Sequence, residues 1–84
     1  MLELEQGNFC IALKLAQQAV EVDPNDPFSL IARGDINQTL GNIEQTKIDL
    51  DQSMQIVRNM LLYQPSDIRL LNLQKRIASK LEVL

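Results

Sequence analysis

Few residues in this chain have side chains that could perform chemistry. Its 84 residues include no His, no Trp and a single Cys. Cys10 is predicted near the start of a helix capped by Asn8, where the positive end of the helix dipole would favour a reactive thiolate. A nucleophilic thiol also needs a base or a second cysteine, and the sequence offers neither beside it. We therefore interpret Cys10 as a passive thiol.

The carboxylates are also poorly arranged for chemistry. Glu3 and Glu5, like Asp49 and Asp51, are two residues apart, so on a helix the members of each pair point in different directions and cannot share a proton or a metal ion. The segment 23–27, Asp-Pro-Asn-Asp-Pro, is rich in oxygen ligands, but it lacks the glycine and distal glutamate of an EF-hand loop. Zinc sites and Ser-His-Asp triads fail for lack of histidine. The sequence predicts a protein that is not an enzyme and holds no cofactor or metal.

Composition and charge narrow the class of partner. The chain is 45% hydrophobic with a net charge of −3, and no apolar run is long enough to span a bilayer. The N-terminus lacks the features of a signal peptide, so we predict a cytoplasmic protein without membrane insertion. Nucleic-acid binding is excluded because the chain is acidic and has only one Tyr and two Phe.

The charge is unevenly distributed along the chain. Residues 1–54 carry a balance of −6, whereas residues 55–84 carry +3. Arg69, Arg76 and Lys80 fall on one narrow stripe of a predicted helix. This stripe is a solvated helix face, a site for an acidic partner, or a contact with the acidic front half, and the sequence leaves these three alternatives open.

Internal repetition is the strongest signal in the sequence. A shift of 34 residues brings small residues onto small ones and apolar residues onto apolar ones. The aligned pairs include Gly7 with Gly41, Asn8 with Asn42, Ala12 with Thr46, Ala16 with Leu50 and Ala19 with Ser53. Apolar periodicity, caps and turn residues predict helices over 8–22, 27–40, 42–64 and 66–84. Their tight turns require antiparallel packing.

These residues resemble the tetratricopeptide repeat family. The resemblance rests on Gly7-Asn8-Phe9, the small residues Ala12, Ala16 and Ala19, the Asp23-Pro24-Asn25 turn, and Gly34. It covers residues 1–57 well and 65–84 loosely. It implies an all-α fold, an α-α superhelix of antiparallel helix-turn-helix repeats.

The chain departs from the family pattern in three places. Arg33 and Asn37 stand where apolar residues are expected, and no proline ends the helix near Arg58, so this helix extends to Pro65. We predict one domain: residues 1–64 form the repeats, the first incomplete and the second with the extended helix, and residues 65–84 form a C-terminal capping helix. The incomplete first repeat leads us to expect a fragment of a longer chain.

The resemblance also implies a binding face. Family members bind proteins or peptides on the concave surface made by the first helices of successive repeats. The corresponding residues here are Phe28, Ile31, Asp35, Gln38 and Thr39. Where a subgroup binds chaperone carboxylates through Lys, Arg and Asn, this chain has Ile31, Ala32 and Asp35, so we expect instead a partner with apolar anchors and a basic or amide group facing Asp35. The alternative is that these are ordinary exposed helix residues.

A second surface is predicted on the extended helix. Its apolar residues form a core contact, a ligand groove or a seam for self-association: Met54, Val57, Met60, Leu61 and Tyr63. The sequence thus predicts a non-catalytic protein–protein interaction module, a scaffold or adaptor. The alternatives are a homo-oligomerisation element and a regulatory appendage of a larger enzyme.

Overall fold

The chain forms four helices, each packed against the next in sequence. The computed structural model describes residues 2–84, with side chains from residue 8 onward. The helices are α1 (Leu2–Val22), α2 (Pro27–Thr39), α3 (Ile43–Tyr63) and α4 (Ile68–Glu82), and residues 2–84 contain no strand. Contacts join α1 to α2, α2 to α3 and α3 to α4. The predicted all-α class is confirmed, and the arrangement is compatible with a helical repeat.

The first helix differs from the prediction. We expected a break at Gly7 and Asn8, but α1 runs without interruption from Leu2 to Val22. Asn8 is therefore not a helix cap, and that prediction was wrong. Glycine permits a turn without requiring one, and its cost inside a helix is only about 1 kcal/mol. The carboxylates of Glu3 and Glu5 lie outside the side chains that the structure describes.

The α1–α2 turn is held by its own carboxylates. Asp23 accepts a hydrogen bond from the backbone N–H of Asn25 at 3.2 Å. Asp26 caps α2, because its side chain accepts from the N–H of Phe28 at 3.0 Å and from the hydroxyl of Ser29 at 2.9 Å. Pro27 follows as the first helical residue, a position where its missing N–H costs nothing. These bonds confirm the predicted cap and account for the oxygen-rich sequence.

The α2–α3 turn is a Schellman motif centred on Gly41. Gly41 has a φ of 85°, in the left-handed region that glycine adopts without a steric penalty. Its N–H donates to the carbonyl of Gln38 at 3.1 Å, and the N–H of Asn42 donates to the carbonyl of Asn37 at 2.8 Å. The C-cap predicted from the sequence is thus confirmed, and it turns the chain back for α3.

Helices α2 and α3 approach closely at Gly34. A Cβ atom at this position would lie 3.4 Å from the Cβ of Asp49 and 3.6 Å from the carbonyl oxygen of Thr46. The Thr46 hydroxyl, fully buried, donates to the carbonyl of Gly34 at 3.1 Å. Ser53 is also fully buried. Small residues therefore line this seam, as the resemblance to tetratricopeptide repeats implies.

We expect Gly34→Ala to be tolerated and Gly34→Leu to be destabilising. The alanine methyl would make ordinary van der Waals contacts, so its better helix propensity should raise the free energy of unfolding by about 0.5–1 kcal/mol. The leucine side chain would force the helices apart and cost about 1–3 kcal/mol. Urea unfolding followed by circular dichroism measures both. A loss of stability in the alanine variant would show that the helices cannot admit even a methyl group.

The core lies where α3 packs against α4 and α2. Its buried side chains come from three helices: Ile31, Leu50, Met54, Val57, Leu73 and Ile77. Helix α3 continues past Arg58 to Tyr63, in agreement with the predicted extension. The apolar face of α4 covers the C-terminal half of α3. Leu81 and Leu84 pack at the edge of the core. In α1, by contrast, Ala16 is the one buried apolar residue among the side chains described.

Candidate functional site

A buried ion pair joins α2 to α3. The Nε and Nη2 atoms of Arg33 donate to the two carboxylate oxygens of Asp49 at 3.1 and 2.7 Å. Gln45 adds a third hydrogen bond to the same carboxylate at 3.1 Å. The Asp49 side chain is 0% exposed and that of Arg33 is 18% exposed. Because every partner lies within the chain, this group is structural and offers no open site for a ligand.

Sequence reasoning missed Asp49 as the partner of Arg33. It indicated that Arg33 occupies a position where an apolar residue is expected. It considered Asp49 only as a possible partner of Asp51 in a shared proton or metal site. The signal was present in the periodicity of α3, since Thr46, Asp49 and Ser53 share one helical face. A carboxylate on a buried face needs a cation, and Arg33 is the sole cationic residue of α2. Asp51 points elsewhere and is exposed.

The predicted concave-face residues lie on α2 in different environments. Phe28 is 64% exposed, whereas Ile31 is buried in the core. The carboxylate of Asp35 accepts a hydrogen bond from the Nζ atom of Lys80 at 2.8 Å. Gln38 is half-buried, and the hydroxyl of exposed Thr39 donates to the Asp35 carbonyl at 3.1 Å. The cation expected from a partner at Asp35 is thus supplied by α4 of the chain itself.

An open groove of about 330 Å³ lies between α2 and α4. We call it the α2–α4 groove, and it is lined by Phe28, Arg69, Asn72, Leu73 and Arg76. Phe28 is the one member that sequence analysis had placed on the binding face. Of the groove residues on α4, Arg69 and Arg76 were found only as part of a basic stripe, because sequence alone does not pair α4 with α2.

The α2–α4 groove has a cationic side. Arg69 has a side chain that is 94% exposed, with its Nε atom 3.8 Å from a carboxylate oxygen of Asp67. That same oxygen accepts the backbone N–H of Arg69 at 2.9 Å and so caps α4. Arg76 is exposed, and within the described side chains it makes no salt bridge. Of the predicted basic stripe, only Lys80 pairs with a residue of the acidic front half among the side chains from residue 8 onward.

The predicted self-association residues are divided between core and surface. Met54 and Val57 are buried within the chain by its own helices, and Leu61 packs against the same core. Met60 and Tyr63 are exposed. These two line a recess of about 530 Å³ together with Asn25, Ile56, Asn59 and Leu62. The surface part of the predicted seam is therefore the C-terminal end of α3.

The remaining reactive groups do not form a chemical site. Cys10 is exposed about two turns inside α1, where the helix dipole no longer acts, so its expected place near a helix start was wrong. Among the residues described, no three acidic or cysteine side chains are grouped to hold a metal ion. None of the helices described is both long and apolar enough to cross a bilayer.

Comparison with protein-family models, curated proteins and solved structures finds no match to this chain. The resemblance to tetratricopeptide repeats therefore rests on the residues of the chain itself: the period of 34, the turn at Gly41 and the close approach at Gly34. The structure establishes a compact all-α domain of four helices.

Proposed function

We propose that this chain is a non-catalytic protein–protein interaction module of the tetratricopeptide type, acting as a scaffold or adaptor. The observation that carries the proposal is the α2–α4 groove, in which the exposed ring of Phe28 stands beside the buried Leu73. Large aromatic side chains left in water at the edge of a groove are typical anchors for a binding partner. The groove lies between α2, the first helix of a unit in the repeat interpretation, and α4, the capping helix.

The walls of the α2–α4 groove are held in place before any partner arrives. The Asp35–Lys80 pair connects its two helices, and Ile31 and Ile77 pack in the core beneath them. The ion pair is partly exposed, so its own contribution is about 0–1 kcal/mol. Preorganised walls lower the entropic cost of binding, because the two helices do not have to be brought together on association. This rigidity supports a binding role for the groove.

The proposal predicts that Phe28→Ala weakens the binding of peptides selected by the natural chain. The natural chain and the variant would each be used to select binders from a displayed library of random dodecapeptides. Loss of an aromatic anchor that the peptide covers on binding should weaken the affinity of the selected peptides by roughly tenfold or more, a loss of at least about 1.4 kcal/mol of binding free energy. Tyr63→Ala is the matched control, since Tyr63 is an exposed aromatic residue outside the groove. If no peptide is enriched, or if both variants behave alike, the proposed site is wrong.

A second candidate function, homo-oligomerisation, is favoured by the apolar residues left on the surface. Ile11 and Leu15 lie four apart on α1 and are each 61% exposed, and Leu62 and Tyr63 are exposed at the end of α3. Such patches are frequently covered by a second copy. Light scattering of the natural chain over a wide concentration range distinguishes the two functions. A dimer that persists on dilution favours oligomerisation, and a monomer favours the groove.

A further inference from the structure

We propose that the α2–α4 groove takes an acidic peptide segment of a partner protein, in which carboxylate side chains flank an apolar one. This inference rests on the proposed function and specifies the chemistry of its partner. It follows from two properties of the groove that stand side by side, an apolar anchor point and an excess of positive charge.

The apolar part of the groove is small. Phe28 and Leu73 are its two large apolar residues, and the volume of about 330 Å³ is at the lower end for ligand sites. A volume of this size admits one or two apolar side chains rather than a whole helix face. The occupant is therefore a short segment with an apolar side chain placed against Phe28.

The residues that line the groove include two arginines and no acidic residue. Asp35 is the one acidic residue of α2, and it is paired with Lys80. On α4 the single acidic residue is Glu82 at its last position, away from the groove-lining residues. Asp67, beside Arg69, is engaged as a helix cap and shares an exposed, weak pair. Arg69 and Arg76 thus present two guanidinium groups, whose planar donors match the geometry of carboxylates.

Charge outside the groove limits how long the anion can be. The chain has a net charge of −3, and residues 1–54 carry −6. A long polyanion such as nucleic acid would meet repulsion from this acidic surface. A short segment with a few carboxylates can contact Arg69 and Arg76 without extending over it. The observations favour an acidic peptide for this reason.

The test uses three synthetic peptides with blocked termini and a fluorescent label. The first contains Glu-Leu-Glu units, the second Gln-Leu-Gln units and the third Lys-Leu-Lys units. Blocked termini remove the terminal carboxylate, so any effect of charge comes from the side chains. We expect fluorescence anisotropy to show the Glu-Leu-Glu peptide binding at least about tenfold more tightly than the Gln-Leu-Gln peptide, with an affinity that falls as salt is added.

The matched pair of variants is Arg76→Glu and Lys75→Glu. Both change the charge of the chain equally, and both residues are exposed neighbours on α4, but only Arg76 lines the groove. We expect Arg76→Glu to weaken the Glu-Leu-Glu peptide by about tenfold or more and Lys75→Glu by less than about twofold. Circular dichroism confirms that each variant keeps its helices.

Three other results would each contradict a part of the inference. Equal loss in both variants would mean that the peptide responds to overall charge and not to the groove. Equal binding of the Gln-Leu-Gln and Glu-Leu-Glu peptides would overturn the acidic partner. If none of the three peptides binds, the inference also fails. In each case the proposed function still stands when library selection yields neutral or basic peptides that require Phe28.

Discussion

Arg33→Met is expected to lower the free energy of unfolding by about 3–5 kcal/mol. Methionine retains an unbranched aliphatic stem like that of arginine but removes the positive charge. The fully buried carboxylate of Asp49 is then left with Gln45 as its remaining side-chain donor. Domains of this size have a total stability of about 4–13 kcal/mol, so the change removes a large share of it. Urea or thermal unfolding followed by circular dichroism measures the loss.

Substitution of the partner residue Asp49 and a double variant make this test specific. Asp49→Leu should cost less, about 1–3 kcal/mol, because the Arg33 side chain is 18% exposed and can turn towards water. The combination of Arg33→Met with Asp49→Leu should recover most of the loss, since a buried ion pair can be replaced by apolar groups at little or no cost. Additive losses would mean that the two side chains do not interact energetically.

Ile77→Ala is expected to have the second largest effect, a loss of about 2–5 kcal/mol. Ile77 is fully buried at the centre of the contact between α4 and α3, so truncation removes apolar contacts and leaves a cavity.

In the natural chain, α4 is the last helix and packs chiefly against α3. We therefore expect its backbone amides to exchange with deuterium faster than those of α2.

Leu71→Ala is the matched control on the same helix. Leu71 is exposed, so its loss should change stability by no more than about 0.5–1 kcal/mol. Equal effects of the two substitutions would mean that α4 is not held by Ile77. Because Arg69, Asn72, Leu73 and Arg76 all lie on α4, weaker docking of this helix should also reduce peptide binding in the groove.

Local chemistry explains why much of the fold is predictable from sequence. Asp26 starts α2 through the hydrogen bonds of its side chain, and Pro27 does so through its fixed backbone angle φ. Gly41 ends it because the left-handed conformation is accessible to glycine, and the extension of α3 follows from the missing proline at Arg58. All these signals act over a few residues. Gly7 shows their limit, because glycine at a comparable position stays inside a helix.

The candidate site was only partly predictable because its residues are far apart in sequence. Phe28 was placed on a binding face by the resemblance to tetratricopeptide repeats, and Arg69 and Arg76 were identified as part of a basic stripe. That these three line one groove depends on how α4 packs against α2 and α3. Ile31 was expected on the same face as Phe28 but is buried, because α4 covers it.

The sequence by itself determined the four-helix, all-α character of the protein, the ends of α2 and the length of α3. Only the tertiary structure decided which charges are neutralised and which remain free. Arg33 meets Asp49 across 16 residues, and Lys80 meets Asp35 across 45. Such pairs depend on the packing of helices that share no local signal. Arg69 and Arg76 are left facing the groove because that packing brings no carboxylate of another helix to them among the described side chains, and Asp67 makes only an exposed, weak pair with Arg69.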